Sequence, residues 1–168
     1  MTPSFKASLA TFVFALAGIG AILFYAPVGP FLLPHALIYA VLVVNTFFSI
    51  RFWSALQPVD NRQFFIDAVL IAAYLALALS IGKPLHFALA ALMLFIAAPI
   101  KYMLMRGRIP HEALRRRKML LDYLGTVSCI ALTLGTLAGY ALGSAWLFAL
   151  GFTLANIYLL FIRPMYRL

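Results

Sequence analysis

The distribution of lysine and arginine along the chain constrains its fold more than any other feature. Six apolar stretches divide the sequence, and the cations fall in alternate gaps between them. Because Lys and Arg in short loops resist translocation, this alternation predicts a polytopic membrane protein whose cation-rich side faces the cytoplasm. Lys83 falls on the opposite side. The other twelve of the thirteen cations are Lys6, Arg51, Arg62, Lys101, Arg106, Arg108, Arg115, Arg116, Arg117, Lys118, Arg163 and Arg167.

The composition excludes a soluble fold. Hydrophobic residues make up 65% of the chain and charged residues 10%, whereas a soluble domain carries about 25% charged residues. A bilayer core of about 30 Å needs roughly 20 apolar residues per helix, so six helices use most of the sequence. We therefore predict an all-α bundle of six transmembrane helices that forms one domain over residues 1–168. The predicted spans are about 8–26, 31–53, 63–82, 84–105, 119–139 and 143–162.

The gaps between the spans differ in length on the two sides. The outer gaps are short and contain Pro and Gly, as at Gly82-Lys83-Pro84, and short loops make neighbouring helices antiparallel. The inner gaps are longer, and the largest is a basic cytoplasmic loop at residues 106–118. Pro110 in that loop predicts the start of a helix that runs into the fifth span. The sequence thus predicts short outer hairpins over a basic cytoplasmic face.

The N-terminal stretch admits a second interpretation. Lys6, the apolar run behind it and Ala15-Leu16-Ala17 match the pattern of a signal peptide with a cleavage site. The apolar run continues to Tyr25, however, which is longer than a signal-peptide core and suits a membrane span. We therefore predict an uncleaved first helix, with both termini in the cytoplasm and the chain in a bacterial inner (plasma) membrane.

A weak internal repeat relates residues 34–82 to residues 84–138. In each half a proline opens the first helix, a cation ends it, and an aspartate lies in the first turns of the second helix. The pattern predicts a two-helix hairpin repeated in the same orientation, as occurs in some transporters. The matched residues are Pro34, Arg51 and Asp67 in the first half and Pro84, Lys101 and Asp122 in the second.

Asp67 and Asp122 are the leading candidates for chemistry. A carboxylate inside a span is unfavourable, by about 2.5–3.5 kcal/mol at the bilayer centre. One hypothesis makes the pair an ion or proton site. The other is structural: Asp122 pairs with Lys118 one turn earlier, and Asp67 pairs with a cation such as Arg51 or Arg62. Lys101, at the inner end of the fourth span, is a further candidate cation.

A set of uncharged polar side chains lies deeper in the spans. Asn45 and Asn156 each need a hydrogen-bond partner in hydrocarbon. Thr126, Cys129 and Thr133 are spaced by three and four residues, so they share one face of the fifth helix below Asp122. That face either lines a pathway or allows close helix packing, with its hydroxyls bonded back to their own helix.

The basic run in the inner loop predicts contact with anionic lipid headgroups. Cations near such a surface are attracted by about 1 kcal/mol each. The positive-inside pattern accounts for the net charge of +9, so we predict no nucleic-acid partner. Other expected partners are the bilayer itself and either further copies of the chain or a larger membrane complex. The four headgroup candidates are Arg115, Arg116, Arg117 and Lys118.

The motifs of common catalytic sites are missing from the sequence. It has no phosphate loop, no HExxH and no GxSxG, so an enzyme is the least favoured class, and we predict no cofactor. His35 and His86 are interpreted as interfacial residues, although two histidines at one depth can also ligate haem or a metal. The favoured hypothesis is a small transporter or channel subunit for an ion or small solute. The alternative is a non-catalytic accessory or assembly protein that binds a larger membrane complex or anionic lipid through its basic loop.

Overall fold

The described part of the chain folds into six helices, each long and apolar enough to cross a membrane. A computed structural model describes residues 2–56, 61–106 and 112–166. It confirms the predicted all-α bundle of six spans. Pro110, Arg108 and Arg167 lie outside the described residues. The helices are α1 (Pro3–Phe24), α2 (Leu32–Trp53), α3 (Asn61–Leu79), α4 (Pro84–Leu104), α5 (Glu112–Leu137) and α6 (Ala141–Ile157), and a π-helical turn, Tyr158–Ile162, extends α6.

Local sequence signals set several helix ends. The Thr2 side chain accepts a hydrogen bond from the backbone N–H of Phe5, and Pro3 occupies the first helical position of α1. Pro84 opens α4 in the same way, after a turn in which Gly82 has a φ of 83°. Gly139, with a φ of 88°, follows the end of α5. Only glycine adopts such left-handed angles without strain, so these two residues permit tight turns between antiparallel helices.

The helices pack in a closed ring. Its order is α1, α2, α6, α5, α4 and α3, and α3 packs back against α1. The predicted outer hairpins are present, because α1 packs on α2, α3 on α4, and α5 on α6. The predicted inner repeat is not matched by equivalent packing. Helices α4 and α5 pack along each other, whereas α2 and α3 make little direct contact and α1 lies between them in the ring.

The two ends of the bundle differ in charge. We call the end that holds Lys6, Lys101 and Lys118 the basic end, and the end with loops 25–31, 80–83 and 138–140 the distal end. Among the described Lys and Arg residues, Lys83 alone lies at the distal end. The helix order therefore reproduces the charge asymmetry that the sequence predicts.

Side chains from α2 and α4 meet across the middle of the ring. At the distal end the His35 ring stacks on Phe87, with ring centroids 4.0 Å apart. At the basic end Trp53 contacts Tyr102, with centroids 5.1 Å apart. These contacts divide the interior into one half bounded by α1 and α3 and another bounded by α5 and α6.

Buried apolar side chains are more numerous in the distal half than in the basic half. The main apolar core is built from the distal portions of all six helices and includes fully buried residues such as Ile38, Leu77, Ile81 and Phe87. A smaller cluster of Phe52, Trp53, Tyr102 and Met105 fills the centre of the basic end. Buried side chains therefore close the distal half between α1, α2, α3 and α4.

The chain beyond α6 folds back under the basic end. In the π-helical turn, the backbone N–H of Arg163 donates to the carbonyl of Tyr158, and that of Met165 donates to Leu159. Met165 is buried, and the ring of Tyr166 packs against Phe52. The tail therefore covers the aromatic cluster at the basic end.

Candidate functional site

The most prominent feature of the basic half is a cavity of about 630 Å³. Its wall is built by α1 to α4 together with Lys118 and Asp122 of α5. Helix α2 contributes residues from Leu42 to Ser54, and the stretch from Leu42 to Trp53 spans about 16 Å at the usual rise per residue. The cavity therefore reaches from the basic end to roughly half the depth of a bilayer core. Its volume is typical of pockets that bind small molecules, which range from about 300 to 1,000 Å³.

The cavity wall changes in character with depth. Near the basic end it carries charged and polar groups, among them Lys6, Gln63, Asp67 and Lys101. Its inner part is apolar, with Phe14, Leu42, Leu70, Ile71 and Leu94. The wall is thus polar where it meets the membrane boundary and hydrophobic towards the middle of the bundle.

Tyrosine side chains hold the inner end of the cavity together. The Tyr74 hydroxyl bonds to Thr46 of α2, and the Tyr74 ring stacks on Phe14 of α1 at 4.5 Å. Behind them the Tyr39 hydroxyl donates to the backbone carbonyl of Phe14 at 2.8 Å. These contacts join α1, α2 and α3 at the depth where the apolar core begins.

Asp67 and Lys101 form an ion pair on the cavity wall. The Lys101 Nζ lies 2.7 Å from the Asp67 Oδ1, and the contact joins α3 to α4. The sequence suggests Arg51, Arg62 or Lys101 as a cation beside Asp67, and Lys101 lies there. Arg51 is exposed on α2, which has little contact with α3. Lys101 pairs with Asp67 because α4 is the neighbour of α3 in the ring.

Asp122 and Lys118 form a second, more deeply buried pair. Their side chains are bonded to each other one helical turn apart on α5, as the i, i+4 spacing predicts. The Lys118 ammonium also lies over the Tyr102 ring, 5.4 Å from its centroid. The second oxygen of Asp122, Oδ2, is buried and makes no hydrogen bond within the described chain. This carboxylate therefore retains an acceptor that is free to bind a donor.

A second cavity of about 370 Å³ lies on the other side of this pair. It is bounded mainly by α5 and α6. Asn45, Phe95, Lys118 and Asp122 line both cavities. The buried ion pair is thus part of the partition between the two spaces, and Asp67 lines the larger one from its opposite wall. Both aspartates face the interior, each beside a lysine.

The remaining polar candidates on α5 pack against other helices. The Thr126 hydroxyl donates to the carbonyl of Phe95 on α4 at 2.8 Å, and that of Thr133 donates to Cys129 of its own helix. Cys129 is fully buried in the apolar core. None of these three belongs to the lining of the two described cavities. Their positions fit the packing interpretation of this face, and Ser128 is the hydroxyl of α5 that reaches the smaller cavity.

The two asparagines lie where the cavities meet. Asn45 lines both spaces. Asn156 is buried beside the smaller one and donates from Nδ2 to the carbonyl of Phe152 at 2.8 Å. An amide bonded in this way to its own helix keeps its oxygen as an acceptor.

The basic run that begins at Arg115 is only partly available to lipid. Arg115 is buried, bonds to Glu112 and donates to the carbonyl of Tyr102 at 3.0 Å. Lys118 is buried in its pair with Asp122. Ion pairing draws these two side chains into the bundle, and their contact with headgroups stays a prediction. Arg116 and Arg117 are exposed, and their contact with headgroups also stays a prediction.

The two histidines differ in environment. His35 is buried and its Nδ1 accepts a hydrogen bond from the backbone N–H of Gly82 at 3.1 Å. His86 is exposed. Within the described ranges, no three His, Cys, Asp or Glu side chains come together in a group that could hold a metal ion. His35 joins the α3–α4 turn to α2 at the closed distal end.

Several cavity residues were missed in the sequence, although helical periodicity carried a signal for them. Gln63 precedes Asp67 by one turn and shares its face of α3. In the same way Ser49 and Trp53 follow Asn45 at intervals of four along α2. Lys6 gave no such signal, because its place in the wall depends on how α1 packs beside α3.

Comparison with known proteins assigns no function to this site, so its function is inferred from its geometry. The chain matches no family, no curated protein and no solved structure. Chemically, the larger cavity offers fixed cations and carboxylates at one end and an apolar interior at the other. Such a wall resembles a pocket that binds a small molecule. It resembles less a catalytic site, in which a nucleophile, a base and an electrophile lie within reach of one another.

Proposed function

We propose that this protein is a small transporter of the plasma membrane, with a solute cavity that opens towards the cytoplasm. The cavity in the basic half is the observation that carries the proposal. The orientation follows from the cation asymmetry, because the cation-rich side of a membrane protein faces the cytoplasm. The cavity volume and its paired charges support the binding of an ion or small solute.

A carrier fits the packing better than an open channel does. Beyond the inner end of the larger cavity, the distal part of α3 and α4 carries fully buried side chains such as Leu77, Ile81 and Phe87. A solute that enters from the basic end therefore needs a second conformation in which the distal half separates. Alternating access of this kind is the usual mechanism of carriers whose sites lie near the middle of the bilayer.

The two ion pairs provide a means of coupling solute binding to such a change. Lys101–Asp67 joins α3 to α4, and Lys118–Asp122 lies in the partition between the cavities. A charged solute that competes for Asp67 or Lys101 would weaken the contact between α3 and α4. One that competes for Lys118 or Asp122 would rearrange the pair on α5 that separates the two cavities. Asp67 and Asp122 thus act as the charged groups through which binding is linked to movement.

Filling the cavity tests this function directly. Ala98 lines the cavity on α4, whereas Ala72 is exposed on α3 and lies outside the cavity wall. We expect Ala98→Trp to abolish uptake into proteoliposomes across a panel of ions and small solutes. The matched variant Ala72→Trp should retain uptake, and both proteins should elute as single species in detergent. Uptake that survives Ala98→Trp, or the absence of uptake of any solute by the unmodified protein, would refute the proposal.

A further inference from the structure

We infer that the preferred ligand of the larger cavity is a single-chain amphiphile with a compact anionic head, a carboxylate or phosphate monoester. This inference names the substrate class of the cavity and rests on the proposed function. Three features of the wall support it: unused hydrogen-bond donors, an excess of cations at the basic end, and an edge that meets the lipid-facing surface.

The unused donors lie at the basic end of the cavity. Gln63 and Ser54 both line it, and the Gln63 Nε2 and Ser54 Oγ atoms are buried without a hydrogen-bond partner in the part of the chain that is described. Leaving a buried donor unpaired is unfavourable, because the group has lost its hydrogen bonds to water. A ligand with several acceptor oxygens would satisfy both groups, and carboxylate and phosphate oxygens are strong acceptors.

The charge of the wall favours an anion at the same place. Lys6, Lys101 and Lys118 line the cavity together with Asp67 and Asp122. Each aspartate is paired with a lysine from this set, which leaves Lys6 as the cation in excess. Lys6 is exposed at the start of α1, so its flexible side chain can reach a head group at the mouth of the cavity.

The apolar part of the wall suits one hydrocarbon chain, and it reaches the surface between α1 and α3. Val13, Phe64 and Ile71 line the cavity, yet they are 47%, 77% and 49% exposed. Residues that line the cavity and are also exposed mark an edge of the cavity on the lipid-facing surface. A chain could therefore enter sideways from the bilayer, with its head kept at the basic end.

Tryptophan fluorescence provides a direct binding assay. The chain has two tryptophans, and Trp53 lines the larger cavity whereas Trp146 is on α6 outside it. In a Trp146→Phe background, stearate with a mid-chain nitroxide should quench Trp53 saturably in a neutral detergent. Its methyl ester should bind about tenfold more weakly, because it lacks the charge that strengthens hydrogen bonds to the head. A single-chain phosphate tested as competitor shows which of the two heads binds more tightly.

Matched variants separate this site from general lipid contact. Lys6→Gln and Gln63→Leu should each weaken stearate binding by about tenfold, whereas Arg51→Gln removes an exposed cation outside the cavity wall and should leave binding unchanged. Equal quenching by stearate and its methyl ester, or equal loss in Arg51→Gln and Lys6→Gln, would overturn the inference. Solute uptake without stearate binding would overturn it and leave the transporter proposal standing. Specific binding without uptake of any solute would support it and refute transport.

Discussion

Replacing Asp122 by asparagine should destabilise the fold far more than the same change at Asp67. The variant keeps the shape of the side chain and removes its charge, so Lys118 is left as a buried ammonium beside a neutral amide. The side chains of Lys118 and Asp122 are 9% and 5% exposed, compared with 14% and 36% for Lys101 and Asp67. Water can therefore compensate for the loss of charge at Asp67 but hardly at Asp122.

The expected magnitudes follow from this difference in burial. Removing one partner of a buried ion pair costs about 3–5 kcal/mol, because the other charge stays buried and unpaired. The Tyr102 ring lies near Lys118 in both proteins, so it does not change this difference. We expect Asp122→Asn to lower the free energy of unfolding by about 3–5 kcal/mol. Asp67→Asn should lower it by about 1 kcal/mol or less, as for partly exposed pairs.

The assay is reversible unfolding in mixed micelles, followed by far-ultraviolet circular dichroism. Adding Lys118→Gln to Asp122→Asn should recover part of the loss, because the uncompensated charge is then removed and the two effects are not additive. The reasoning is refuted if Asp122→Asn is no more destabilising than Asp67→Asn, or if the double variant shows the sum of the single losses. A stable Asp122→Asn protein that has lost transport would instead indicate a carboxylate that acts directly on the solute.

Three further predictions concern packing and orientation. Gly125→Ala should lower the free energy of unfolding by about 1–3 kcal/mol, because a Cβ atom there would collide with the Phe95 ring of α4. His35→Leu should lower it by about 1–3 kcal/mol, since the Gly82 N–H would lose its acceptor in a partly buried site. On intact cells, an impermeant maleimide should label Lys83→Cys, and it should label Arg106→Cys only after permeabilisation, because of the cation asymmetry.

Each of these predictions has a matched control. Gly20→Ala places a Cβ atom in open space and should be neutral or stabilising by up to about 1 kcal/mol. His86→Leu changes an exposed histidine and should alter stability by less than about 0.5 kcal/mol. Replacing the buried Cys129 by alanine gives the background for labelling. If Gly125→Ala or His35→Leu is no more destabilising than its control, the corresponding packing argument is wrong. Labelling of Arg106→Cys before permeabilisation would reverse the proposed orientation.

The six spans and the Lys118–Asp122 pair could be predicted from the sequence because they depend on properties of single helices. A span is predicted when an apolar stretch is long enough to cross the bilayer, and this length does not depend on the neighbouring helices. Residues four apart on one helix lie on the same face, so Lys118 is within reach of Asp122 in any arrangement of the bundle. The distal hairpins follow in the same way, since loops as short as 80–83 leave adjacent helices no choice of neighbour.

The order of the helices in the ring was decided only by tertiary packing, and the candidate site depends on that order. Apolar faces are chemically alike, so the sequence does not show that α3 packs between α1 and α4. That arrangement gives Asp67 its partner Lys101, brings Lys6 and Gln63 into one wall, and turns Thr126 and Cys129 away from the cavities. It also buries Arg115 and Lys118, although their sequence context predicts exposure. Local sequence therefore determines the helices and the charge at their ends, whereas the larger cavity depends on which helices become neighbours in the ring.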